Sequence, residues 1–160
     1  MASYVVWSNS YANGPNIMPL HAEIDDEWRA SLDQLDSAEA TVVGRASNYA
    51  DGYVVPAHSH ERAQLLYARS GVVLVSSAAG RWMVPPEHAM WIPAGMSHSV
   101  EMISAVAMSS VYLRRDAAGD APRDLAVLAM TDLMRALVAI TVDADMAVVG
   151  SRRNELAMGL

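Results

Sequence analysis

The sequence contains no cysteine, no lysine and no phenylalanine. The first two absences each exclude a class of chemistry. Without cysteine there are no disulfides, thiolate zinc sites, iron–sulfur clusters or thiol nucleophiles. Without lysine there is no Schiff base, which rules out lysine aldolases and pyridoxal-phosphate enzymes. No nucleotide cofactor is expected either. All eleven basic side chains are arginine against eighteen acidic ones, giving a net charge of −7. That balance argues against direct nucleic-acid contact, which needs clustered positive charge. The pairs Arg114-Arg115 and Arg152-Arg153 read as solvated. No apolar run approaches the ~20 residues that cross a bilayer, and the N-terminus lacks the basic and apolar regions of a secretory signal. A cytoplasmic protein is expected.

What is present is a folded chain of 160 residues, 52% of them apolar, a length suited to one core. Eleven methionines, four tryptophans and the aliphatics replace phenylalanine as core filler. Residues 1 to about 22 carry the turn signals Asn-Gly-Pro-Asn and Met-Pro and read as an arm over the surface. Asp25 to Leu35 reads as a short helix with Trp28, Leu32 and Leu35 on one face. From Thr41 onward short β-rich runs follow one another: Thr41–Tyr49, Tyr53–Val55, Gln64–Tyr67, Val72–Ser76, Arg81–Val84, Ala89–Ile92, Ser97–Met102 and Ala105–Leu113. Glycine, proline and serine punctuate them, as in a sandwich or small barrel. Leu125–Met130 reads as a last strand. Thr131 to Thr141 reads as a helix with Thr131 as N-cap, and Asp143 to Met158 as a second helix. The expected division is 1–40 for arm and short helix, 41–122 for the barrel, and 123–160 for the final strand and two C-terminal helices.

The chemistry gathers in two segments. The first, Gly52 to Gly71, holds His58-Ser-His60 and Gln64; the second is Pro93-Ala-Gly95-Met-Ser-His98. On a regular strand side chains alternate, so His58 and His60 share a face about 6–7 Å apart. A third histidine from a neighbouring strand closes one side of a metal site. His21 and His88 fit no such pattern. Glu61 is expected to point away from the His60 face.

The spacings G-x5-H-x-H-x3-Q-x6-G and P-x-G-x2-H resemble the two motifs of the cupin superfamily. Further blocks extend the likeness: His58 to Ala68, Ser70 to Val72, Gly80 to Pro86 and Ala89 to Val100. Together they resemble the N-terminal effector-binding domain of AraC-type transcriptional regulators. The resemblance implies an all-β cupin fold, a double-stranded β-helix (jelly-roll) barrel. It implies a metal site of His58, His60, Gln64 and His98 for a divalent ion such as Zn, Ni, Fe or Mn, or else a polar patch in a metal-free effector pocket. Gln64 stands where a glutamate is expected, and Glu87 where the second motif begins with glycine. Tyr67, Trp82, Met83, Trp91 and Tyr112 are candidate pocket residues, although core or sheet-face packing is the commoner role of large groups on strands. The implied function is small-molecule sensing, with a homodimer formed through the C-terminal helices. The rival is a stand-alone metal-dependent cupin enzyme of dioxygenase or isomerase type, against which no general acid or base accompanies the histidines. The family's helix-turn-helix half would need roughly 100 further residues; either this is part of a longer regulator or it stands alone.

Overall fold

A computed structural model describes residues 6–8 and 26–143. Two sheets face each other across an apolar core. One is six-stranded, in the order β1 (Val6–Ser8), β2 (Val42–Tyr49), β9 (Val106–Leu113), β4 (Ala63–Ser70), β7 (His88–Ile92) and β10 (Ala126–Ala129). The other is four-stranded: β3 (Val54–His58), β8 (His98–Met102), β5 (Val73–Ser77) and β6 (Gly80–Val84). All pairings are antiparallel except β1 with β2, which is parallel. This is the jelly-roll expected from the sequence. Val6–Ser8 departs from it: this piece of the arm adds an edge strand instead of lying as loop, and Val-Trp at its start suits a strand. The second C-terminal helix lies outside the described residues.

Period-2 alternation explains the core. Leu66 and Ala68 of β4, Met90 and Ile92 of β7, and Met108 of β9 point inward, where they meet Val73, Val75, Val84, Val100 and Met102 from the other sheet. Residues of opposite parity, Tyr67, Ala89 and Val111, turn outward and pack with Val138 and Val142 of α2 (Asp132–Val142). Thr131 caps that helix by accepting from the Met134 amide at 3.2 Å, satisfying one of its orphan donors. Gly44 lets α2 approach closely. A Cβ there would stand 2.5 Å from the Thr141 carbonyl oxygen.

The helix α1 (Asp26–Ser37) closes the other side. Its predicted face, Trp28, Leu32 and Leu35, is buried. Trp28 and Leu32 join the core between the sheets, and Leu35 packs with Ala40, Val43 and Tyr112. Polar contacts fix the helix end. Both Asp36 carboxylate oxygens accept from the Glu61 amide at 3.0 Å. The buried Arg62 guanidinium donates to the carbonyls of Ala38, Ala40 and Thr41. The turn that carries His60 is thereby tied to the segment leaving α1.

Candidate metal and effector site

His58 is the last residue of β3, and a register irregularity lies between Val55 and His58. His60 follows in the connection to β4, so the two do not share a regular strand as the His-x-His spacing predicted. Their rings still converge, because the turn folds back: their centroids lie 5.9 Å apart. His98 opens β8 and pairs across the sheet with His58, ring to ring at 4.3 Å. Gly95, with φ +80°, supplies the left-handed turn before it and donates its amide to the His60 carbonyl at 2.8 Å. The two motifs are therefore bonded to each other.

The protonation pattern follows from the partners. Nδ1 of His58, His60 and His98 faces the carbonyls of Pro56, Arg62 and Met96 at 2.8, 2.6 and 2.9 Å. A carbonyl only accepts, so in each neutral ring Nδ1 holds the proton and Nε2 the lone pair. One ring nitrogen from each of the three lies within 4.8 Å of the others. Among the described residues, His98 Nε2 is buried without a hydrogen-bond partner.

Gln64, on β4, completes the set. Its Nε2 donates to Ser110 Oγ at 3.0 Å and Tyr112 Oη at 3.2 Å. Its Oε1 then faces His60 Nε2 at 3.1 Å, acceptor against acceptor. With His60 neutral, two arrangements satisfy both atoms. One is a cation bound to both lone pairs. The other is a reversed amide, which donates to His60 and accepts from the two hydroxyls. The donor set of three imidazoles and an amide oxygen suits a divalent transition metal.

Burial pushes the His58 imidazole down to about 4, against the Pro56 carbonyl that favours its charged form. Burial likewise lowers His98 to about 3, helped by neighbouring His58. Both are neutral near pH 7, the state a ligand needs. Burial raises the Tyr112 phenol, so it too is neutral.

These groups wall an internal cavity of about 20 Å³, room for roughly one water. His58, Gln64, His98 and Tyr112 line it, with Trp28, Arg45, Ser47 and Ser110. Of the predicted pocket residues only Tyr112 is here. Trp91 lies on the outer side of the six-stranded sheet, in an apolar groove of about 300 Å³ against Met134, Leu137 and Val138 of α2. Tyr67, Trp82 and Met83 line neither concavity. Tyr67 packs outward toward α2, Trp82 rests against the core from β6, and Met83 is 59% exposed. His88 opens β7 outside the histidine group, and His21 lies outside the described residues. Glu61 faces away and pairs with Arg115 on the surface.

From sequence Trp28 is expected only on the apolar face of α1, and Arg45 is not singled out. A signal existed for Arg45. In β2 it shares inward parity with Val43 and Tyr49, a charge where the alternation calls for core. Glu87, in place of the motif glycine, has φ +68°. The position demands the left-handed conformation that glycine adopts freely.

Residues 41–147 match the family described as AraC-like ligand binding domain, and the chain belongs to that family. The HTH-type transcriptional regulator NimR of Escherichia coli (strain K12) is 30% identical over 88 residues, 55% of this chain. The chain spans about a third of that relative's length (32%). The structure of ToxT from Vibrio cholerae O395, bound to (E)-4-(8-methylnaphthalen-1-yl)but-3-enoic acid, superposes with a TM-score of 0.56. It is 8% identical and covers 74% of this chain and 53% of its own; the likeness is one of fold. An RmlC-like cupin from Shewanella frigidimarina NCIMB 400 aligns at 12% identity with a TM-score of 0.43, over 46% of this chain and 66% of its own. Among the described residues no helix is long and apolar enough to cross a membrane.

Proposed function

We propose that this chain is the effector-sensing domain of an AraC-type transcriptional regulator and takes a small molecule inside the barrel, beside a divalent metal held by His58, His60, His98 and Gln64. The observation that carries the reading is the convergence of three imidazoles on one another, with Gln64 Oε1 against His60, beside a buried cavity that His58, His98 and Gln64 line, in a chain belonging to a ligand-binding family. When bound, the metal would act as a Lewis acid for an oxygen or nitrogen of the effector. The protein's own part is to hold the imidazoles in one tautomer through the carbonyls of Pro56, Arg62 and Met96.

Signalling would run through the elements that the cavity touches. Trp28 puts α1 in its wall. The strand β2 presents Arg45 and Ser47 to the cavity and Gly44 to α2. An effector that prefers one placement of these helices would shift the equilibrium between the two states. A homodimer through the C-terminal helices and a cytoplasmic location belong to the same proposal; Leu133 of α2 is 58% exposed and available for such pairing.

The test is a thermal-shift and calorimetric screen of small metabolites with metal-loaded and metal-free protein, after elemental analysis of untagged protein. Saturable binding lost in His98→Ala is expected. No response in either form would overturn the reading.

A further inference from the structure

The cavity holds a buried cation with no anion beside it among the described residues. Arg45 lines it and is 9% exposed. Its Nη1 donates to Ser31 Oγ at 3.1 Å and its guanidinium lies 4.8 Å over the Trp28 ring. Its Nε is buried with no hydrogen-bond partner among the described residues. No carboxylate among them lies within ion-pair distance of it: the salt bridges of Arg29, Arg81, Arg114, Arg115 and Arg135 are all elsewhere. A stacked indole offsets only part of the cost of burying a cation.

Among the described residues no carboxylate lines the cavity. Gln64 is a neutral amide where the cupin motif that the sequence resembles has glutamate. A divalent ion on these ligands would add two positive charges and no compensation. With or without metal, the cavity is a positive compartment inside a chain of net charge −7.

We infer that the effector carries a carboxylate, which docks on the free edge of the Arg45 guanidinium, with the ring of His98 and the hydroxyls of Ser110 and Tyr112 around it. A guanidinium edge and a carboxylate match in geometry, and charge-assisted bonds of this kind are the strong ones. The inference rests on the sensing reading and narrows it to a ligand class. The cavity holds only about a water's volume, so any carboxylate, formate included, enters by displacing Trp28 with α1.

The experiment titrates the metal-free chain with formate, acetate and butyrate, each against its neutral isostere formamide, acetamide and butyramide. Binding is followed by calorimetry and by the ¹⁵N–¹H resonance of Arg45 Nε. The carboxylates are expected to bind saturably, to move that resonance, and to bind at least tenfold tighter than the amides. Arg45→Gln should lose at least tenfold for acetate with little change for acetamide, and Arg45→Lys should retain part of the preference. If Arg45→Gln does not fold, the acid–amide contrast in the native chain and in Arg45→Lys decides. Amides binding as tightly as acids, or Arg45→Gln holding acetate unchanged, would overturn the carboxylate inference and leave sensing intact. If neither series binds, and a metabolite screen with and without zinc also fails, both fall together.

Discussion

The Trp28 ring, carried in on α1, lies 5.7 Å from the His58 ring at the end of β3. A helix side chain thus forms part of the wall of a site otherwise built from strands. Trp28 is also core, packed between the sheets with Leu32. Trp28→Ala removes a buried indole and is expected to cost about 3–5 kcal/mol of stability. It should also enlarge the cavity, so that butyrate binds with a faster on-rate than in the parent. Urea denaturation and stopped-flow binding measure the two effects. An unchanged midpoint would show that α1 is not part of the cooperative fold.

Gly44 is the point where α2 meets the sheet. A Cβ there would lie 2.5 Å from the Thr141 carbonyl oxygen and 2.9 Å from Val142 Cα, both backbone atoms that cannot swing aside. Gly44→Ala is therefore expected to push α2 off β2 at a cost of about 1–3 kcal/mol. Thermal unfolding should show the loss, and hydrogen exchange should show it concentrated in residues 132–142. Uniform loss of protection across the chain would count against a local displacement.

Most of the fold was legible because it rests on local signals. Alternation placed strands within one or two residues at Thr41–Tyr49, Ala89–Ile92 and Ala105–Leu113, against observed Val42–Tyr49, His88–Ile92 and Val106–Leu113. Thr131 announced α2 through its capping hydroxyl. What escaped depends on long-range packing. The parallel pairing of Val6–Ser8 with β2 has no turn to signal it. His60 leaves the strand because the chain must bend back toward Arg62, whose burial depends on three carbonyls over twenty residues away in sequence. The site's histidines and Gln64 were readable from spacing. Trp28 was readable only as core, and Arg45 only as a breach of alternation, because which charge a cavity leaves unpaired is a property of the assembled sheets.

The histidines give the metal-free protein a pH signature. Folded His58 and His98 titrate at about 4 and about 3, while the unfolded rings titrate near 6.5. Between those values the unfolded chain binds the extra protons, so stability falls as pH drops below about 6.5. The slope is up to about 1.4 kcal/mol per pH unit for each ring. The loss from these two groups levels off below about pH 3. Unfolding midpoints measured from pH 8 to 4 should show this fall, and His98→Gln should reduce the slope. Equal slopes in parent and variant would contradict the assignment. Bound zinc should delay the fall, because ligation holds the rings neutral.

Gln64→Glu installs the carboxylate of the cupin motif that the sequence resembles and separates the metal from the effector. In the metal-free protein it places an anion at a position 4% exposed, which should cost about 1–3 kcal/mol at pH 8. Burial raises that carboxyl above its unfolded value. The cost is therefore absent below about pH 4 and appears as pH rises through the folded value. A divalent metal reverses the balance: one added negative ligand should raise zinc affinity by about tenfold or more. The same charge lies in the compartment of Arg45 and should weaken acetate binding. Elemental analysis, zinc titration and acetate calorimetry on parent and variant read the three effects together. If zinc affinity is unchanged while acetate binding falls, residue 64 faces the effector and the metal role of His60 and Gln64 fails. If zinc tightens and acetate is unaffected, the metal and the anion occupy separate compartments, and Arg45 does not share one with Gln64.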